Sequence, residues 1–376
     1  MHGTDDNGAP ITLVNCFESN SSATATRLSR TIRCDVAIFG VHLAADDLNF
    51  SGIVLRFDHQ DEWLQRFAFG EIEHELSSDD SKEITMIKIP VRETREIDLD
   101  LSGYARSCFD LWWTIGPNRS EHRFGSRSYL DLLFDAPASW TDLRAEFQSW
   151  SWLLGMAMRS PIDIEELFLR RNDVPLRDGH AELKLLPCWI ARKFGPAPAN
   201  SDRTRHEFHF TFDDVEASFA TVHARWRRMR EPWAAVLQRF IAISSPRDLW
   251  RNEEFLFLAQ AIESLARARS PQNQSIKFKA AAFEAWDCSP SALQILLGPR
   301  DVFATRLHKS RNYWTHYGKP RPEDDPEILD GDDLIIFNEK LRWVVEAAIL
   351  REIGIPEENV ARVWSERWRL RFVNFA

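Results

Sequence analysis

No stretch of these 376 residues comes near the roughly 18 consecutive apolar side chains that a bilayer-crossing helix needs, so no membrane span is expected. The opening residues, MHGTDDNGAP, lack the basic start and apolar run of a secretory leader. Cysteine is scarce: Cys16, Cys34, Cys108, Cys188 and Cys288 are odd in number, widely scattered and without a Cys-x-x-Cys pair. That argues against a disulfide framework or a zinc cage, and predicts reduced thiols in a cytoplasmic protein with no bound metal. Also missing are a Gly-rich loop ending in Gly-Lys-Ser/Thr, a dinucleotide fingerprint and a Gly-x-Ser-x-Gly elbow, so no cofactor is expected. Excess positive charge is lacking too. A net charge of -10 disfavours general coating of nucleic acid but does not exclude a local basic site.

Aromatics, by contrast, are plentiful, with 15 Trp and 25 Phe in a chain long enough for two domains. The first third reads as strands at 31–43, 51–58, 83–91, 95–101, 108–116 and 128–135, β-branched and aromatic runs parted by polar turns. No crossover helices separate them, which predicts an antiparallel sandwich or barrel rather than a doubly wound sheet. Ser139 or Thr141 then caps a helix that Pro161 ends, with Phe147, Trp150, Leu154 and Met158 on one face. Shorter strands are expected at 162–170, 180–191 and 206–212. In the last of these, HEFHFTF, alternation would send His206 and His209 to opposite faces and make them structural rather than metal ligands. From Asp213 the periodicity is helical to the end. The expected fold class is therefore α+β: a mostly antiparallel β N-terminal domain, residues 1–230, followed by an all-α helical bundle, residues 231–376.

Chemistry concentrates in HKSRNYWTHYGKP, residues 308–320. On a helix Asn312 and His316 share a face, whereas Arg311 and His316 stand about 140° apart. Gly318 and Pro320 would stop the helix just after His316, leaving the imidazole in the last turn, where unpaired carbonyls favour its cationic form. Arg311 supplies a planar cation suited to phosphate oxygens. Together these are the parts of a metal-free ribonuclease: a base for the ribose 2′-OH, a cation for the developing charge, and an acid for the leaving 5′-oxygen. Six basic residues between 300 and 321, Arg300, Arg306, Lys309, Arg311, Lys319 and Arg321, face Asp301 alone. Of these, Arg306, Lys309, Lys319 and Arg321 are the candidate RNA-binding residues. A second basic run, RWRRMREPW at 225–233, reads either as an RNA surface or as a solvated helix whose tryptophans fill the core.

SRNYWTHYG within a C-terminal helical bundle resembles the HEPN ribonuclease motif, Arg-x4–6-His with Asn commonly after the Arg. More narrowly, FLFLAQAIESLARA, RLHKSRNYWTHYG and LRWVVEAAILREIGI are similar to the helices of ApeA-like anti-phage proteins, over roughly the last 130 residues. The resemblance implies metal-independent RNA cleavage, with tRNA as the target. It further implies a homodimer that brings two motifs into one cleft, and growth arrest during phage infection; the β-rich N-terminal domain is then expected to sense a phage-derived trigger or to position the substrate. Carried onto this sequence, it assigns acid/base work to His316, the scissile phosphate to Arg311, and the companion position to Asn312.

Three readings stay open. Glu263, near the apolar side of its helix, either positions Arg311 or pairs with Arg267 four residues on. The acidic run 322–333 either forms a solvated loop or screens the basic cleft. The protein as a whole is either a nuclease or a non-catalytic adaptor or RNA-binding module. A carbohydrate-binding β domain has only Trp112, Trp113 and Trp140 in its favour, and aromatics in strands are more often core.

Overall fold

The computed structural model describes residues 1–23, 28–64, 73–76, 84–88, 104–115, 124–171, 185–190, 208–244, 249–270, 272, 276–316 and 320–359. The chain forms two units. One comprises Met1–Ser151 and Ile162–Ser201, the other Trp152–Pro161 and Asp202–Ala376.

The first unit is built on strands β1 (His2–Thr4), β2 (Pro10–Val14), β3 (Phe17–Ala23), β4 (Leu28–Arg33), β5 (Val36–Phe39) and β6 (Asn49–Phe57). A short helix α1 (Gln60–Leu64) follows, then β7 (Glu73–Leu76), β8 (Ile84–Lys88), β9 (Tyr104–Ile115) and β10 (Phe124–Ser139). Helix α2 (Trp140–Met158) separates these from β11 (Ile164–Arg170) and β12 (Leu185–Ile190). Eight strands make one sheet in the order β1-β2-β5-β12-β11-β6-β10-β9, while β3-β4 and β7-β8 are separate hairpins. Every recorded pairing is antiparallel. The expected β class therefore holds, but β11 and β12 join the main sheet instead of forming a second set. The single strand expected at 31–43 is broken between Arg33 and Val36. The expected strand at 95–101 lies outside the described residues. Between β11 and β10, β6 buries Ile53, Val54 and Leu55 in succession, as a strand covered on both faces must.

Helix α2 starts where the Ser139 hydroxyl accepts from the Asp142 backbone N–H at 3.2 Å. Its predicted stripe, Phe147, Trp150, Leu154 and Met158, is buried. The helix stops at Arg159, whose φ of +51° is a left-handed conformation that favours glycine. Ser160 N–H closes this turn on Gly155 C=O at 3.0 Å. An arginine occupies the position because its side chain is held: Arg159 Nε donates to Glu346 Oε1 at 2.7 Å inside the second unit.

The second unit holds α3 (Phe212–Val215), a 3-10 turn (Glu216–Ser218), α4 (Phe219–Met229), α5 (Ala234–Ser244) and α6 (Arg251–Arg269). Next come α7 (Phe278–Asp287), α8 (Ser291–Leu297), α9 (Arg300–His316) and α10 (Gly331–Ile353). Helix α6 packs against α5, α7, α9 and α10, burying Phe255, Leu258, Ala259, Ile262, Leu265 and Ala266 as its periodicity predicts. Gly354, at φ +86°, caps α10: Ile355 N–H reaches Leu350 C=O at 2.9 Å.

One expected strand is absent. Residues 208–211 are irregular chain leading into α3 at Phe212, and all five side chains from Phe208 to Phe212 are buried. The alternating phenylalanines mimic a strand, yet the described residues of this unit offer no sheet partner. His209 is fully buried, with Nε2 3.3 Å from Glu346 Oε2. It is structural as expected, but through burial beside Glu346 in a helical core; His206 lies outside the described residues. Trp226 and Trp233 are likewise core residues, so the run at 225–233 takes the bland reading. No helix among the described residues is long and apolar enough to cross a membrane.

Candidate active site

Helix α9 carries the motif. Phe303, Ala304, Leu307 and Ser310 face inward and anchor it against α6, α7 and α8. Asn312 and His316 lie on the opposite, solvent-facing side, with His316 the last helical residue. Gly318 and Lys319 lie outside the described residues. Asn312, His316, Lys309 and Tyr313 line one cavity of about 460 Å³, closed by Pro320, Asp325 and Ile328 of the returning chain. The motif histidine and its asparagine companion thus meet one solvent-accessible space.

Arg311 is not part of that lining. Its guanidinium lies over the Phe278 ring of α7 at 5.2 Å, and Nη1 donates to Asn312 Oδ1 at 3.4 Å. The separation follows from helix geometry: five residues place Arg311 and His316 about 7.5 Å apart along the axis and about 140° round it. Ser310 and Trp314, a turn apart, fix the segment that follows. Ser310 Oγ accepts from Leu329 N–H at 2.8 Å, and Trp314 Nε1 donates to Leu329 C=O at 3.1 Å. With Ile328 and Leu329 buried, the acidic segment is docked on the motif helix and is not a plain solvated loop.

Its carboxylates take up the basic residues. Lys309 bonds Asp325 at 2.8 Å and also Glu327; Arg306 bonds Asp333 at 2.8 Å; Arg321 reaches Glu323 at 3.5 Å. Arg300 makes a two-pronged pair with Asp287 of α7, both contacts at 2.6 Å. The Lys309 ammonium holds the Asp325 carboxyl below its ordinary range, and Asp325 with Glu327 pushes the lysine up. Among the described residues, Arg311 is the one arginine or lysine of α9 without a carboxylate partner. Glu263 does not supply one: its Oε1 accepts from Arg267 Nη2 at 2.7 Å, the i,i+4 pair.

Two neighbours of the motif were not singled out in the sequence. His308 sits one turn before Asn312, its Nε2 3.2 Å from Asn312 Nδ2. Phe278 lies under both His308 and Arg311. The signal for His308 was present as an i,i+4 spacing; nothing local marks Phe278, which comes from another helix.

The family model for ApeA N-terminal domain 1 matches residues 1–226, more than half the chain. The chain belongs to the ApeA family. Apea-like HEPN matches residues 256–359, so α7, α8, α9 and α10, with most of α6, are HEPN helices. No curated protein and no solved structure matches the chain. The candidate residues Arg311, Asn312 and His316 all fall inside the HEPN match.

Proposed function

We propose that the protein is a metal-independent endoribonuclease of anti-phage defence, and that it cleaves tRNA. The observation that carries this reading is the shared cavity of Asn312 and His316 at the exposed end of a HEPN helix, with the unpaired cation Arg311 one turn back. His316 acts as acid or base at the reacting oxygens. Arg311 neutralises charge on the scissile phosphate, for which a planar fork without a competing carboxylate is suited. Asn312 orients His316 or the substrate.

In-line displacement needs proton transfer on both sides of phosphorus, and one terminal imidazole serves only one of them. The reading therefore includes a homodimer through the helical domain, in which a second copy supplies the other histidine and its arginine. The N-terminal part, residues 1–230, serves as sensor of a phage-derived trigger or as substrate positioner, in the cytoplasm. A non-catalytic adaptor is the second reading, favoured by the pairing of Arg306, Lys309 and Arg321 with acids, which leaves few free cations for RNA.

The test is to incubate purified wild type, Arg311→Ala and His316→Ala with a bulk tRNA pool in EDTA. Cleavage by wild type alone supports the enzyme. Folded, dimeric wild type that cuts nothing, with or without infected-cell extract, supports the adaptor.

A further inference from the structure

His308, Asn312 and His316 recur every four residues, so they line one face of α9. The His308 ring stacks on Phe278, centroids 6.2 Å apart, while the Arg311 guanidinium covers the same phenyl ring at 5.2 Å. His308 Nε2 lies 3.2 Å from Asn312 Nδ2. An amide nitrogen only donates, so Nε2 accepts and the ring proton sits on Nδ1. The other end of the carboxamide agrees. Arg311 Nη1 donates to Asn312 Oδ1, and a flipped amide would turn its NH2 toward the guanidinium.

Burial, then Lys279 of α7 and Arg311, push the His308 pKa below its ordinary value, consistent with a ring that accepts. Its Nδ1 is buried and has no hydrogen-bond partner among the described residues. A histidine kept only for packing would not need a lone pair aimed at the motif asparagine. Leucine would fill the space against Phe278 without leaving a buried polar atom unsatisfied.

We propose that His308 is a positioning residue of the site: its Nε2 fixes the Asn312 carboxamide, which steers Arg311 through Oδ1 and offers its second N–H to the cavity it shares with His316. The catalytic consequence rests on the ribonuclease reading above. The contact itself does not.

The experiment compares His308→Leu, which keeps apolar packing, with His308→Gln, which restores a carbonyl acceptor. It uses the full chain and one tRNA that the wild type cuts. The expected result for His308→Leu is a fall in kcat of about 30-fold or more with KM within about twofold, the signature of lost transition-state positioning. His308→Gln is expected to recover to within about fivefold of wild type, with melting temperatures close for all three proteins, since a restored acceptor restores the hydrogen bond. Equal activities for the two variants, or a loss that follows the melting temperature, would overturn the proposal. Imidazole ¹⁵N spectra of the wild type, with His308 assigned through the Gln variant, give an independent readout. A neutral ring protonated on Nδ1 supports the contact; a cationic ring, or one protonated on Nε2, overturns it. Should the wild type cut no RNA while the spectrum shows the predicted tautomer, the ribonuclease reading fails and the catalytic role with it, but the His308–Asn312 contact stands.

Discussion

Lys309 on the motif helix and Asp325 in the acidic segment are joined at 2.8 Å, and both line the cavity that His316 lines. On the ribonuclease reading proposed above, the contact occupies a cation assigned to RNA binding. Asp325→Asn combined with Glu327→Gln should therefore raise basal tRNA cleavage several-fold at low salt. The gain should shrink as salt screens charges beyond about 10 Å at 0.1 M. Equal initial rates for variant and wild type across a salt titration would dismiss the screening role.

Glu346 is 1% exposed and bonded to Arg159, whose other carboxylate neighbour, Glu339, lies at 4.0 Å, so removing either partner leaves a poorly compensated charge in the helical core. Arg159→Gly would relieve a left-handed residue yet leave Glu346 without its main partner. The pair dominates: Arg159→Gly and Glu346→Ala should each cost about 3–5 kcal/mol, the range for breaking a buried ion pair. Urea denaturation followed by circular dichroism measures it, and a stabilised Arg159→Gly would show that strain outweighs the pair.

Stability should fall on the acid side in two windows. His223, fully buried near Arg227 and Arg230, is held at about 3 by burial first and then by those cations, so the folded protein keeps it neutral. Its folded pKa is depressed below the ordinary 6.5, so this contribution is complete above 6.5 and lost as pH falls toward 3. Burial alone would raise the Glu346 carboxyl, but Arg159 and His209 outweigh it and hold it at about 2; its contribution is lost below 4.5. His223→Phe should flatten the upper window and leave the lower one. An unchanged melting profile between pH 6.5 and 4.5 would contradict the assignment.

Glu263 spends its carboxylate on the half-exposed Arg267, a pair worth about 0.3–0.5 kcal/mol on a helix surface. Glu263→Gln should leave tRNA cleavage within about twofold and melting nearly unchanged. A collapse of kcat at normal melting would return this residue to the site.

The long helices were legible because their apolar side chains recur at helical spacing: α6 buries the six residues its pattern named. Ser139 and the Arg311–Asn312–His316 spacing were equally readable, since each depends on neighbours within a turn or two. What failed depended on distant partners. Phe208, Phe210 and Phe212 alternate like a strand, but Glu346, far along the chain, draws His209 into a helical core. Local charge misled for the same reason. The basic stretch 300–321 looked open until Asp287, Asp325, Glu327 and Asp333 folded back onto it.

The most direct measurement replaces one atom of substrate. Once a cut site in a tRNA is mapped, the same RNA is prepared with a single 2′-deoxy nucleotide on the 5′ side of the scissile phosphate. If the 2′-oxygen is the nucleophile, wild type should leave 2′,3′-cyclic phosphate ends on the all-ribose strand in EDTA and should not cut the substituted one. Cleavage of the deoxy-substituted RNA at the same bond would contradict the mechanism assigned to His316 and Arg311.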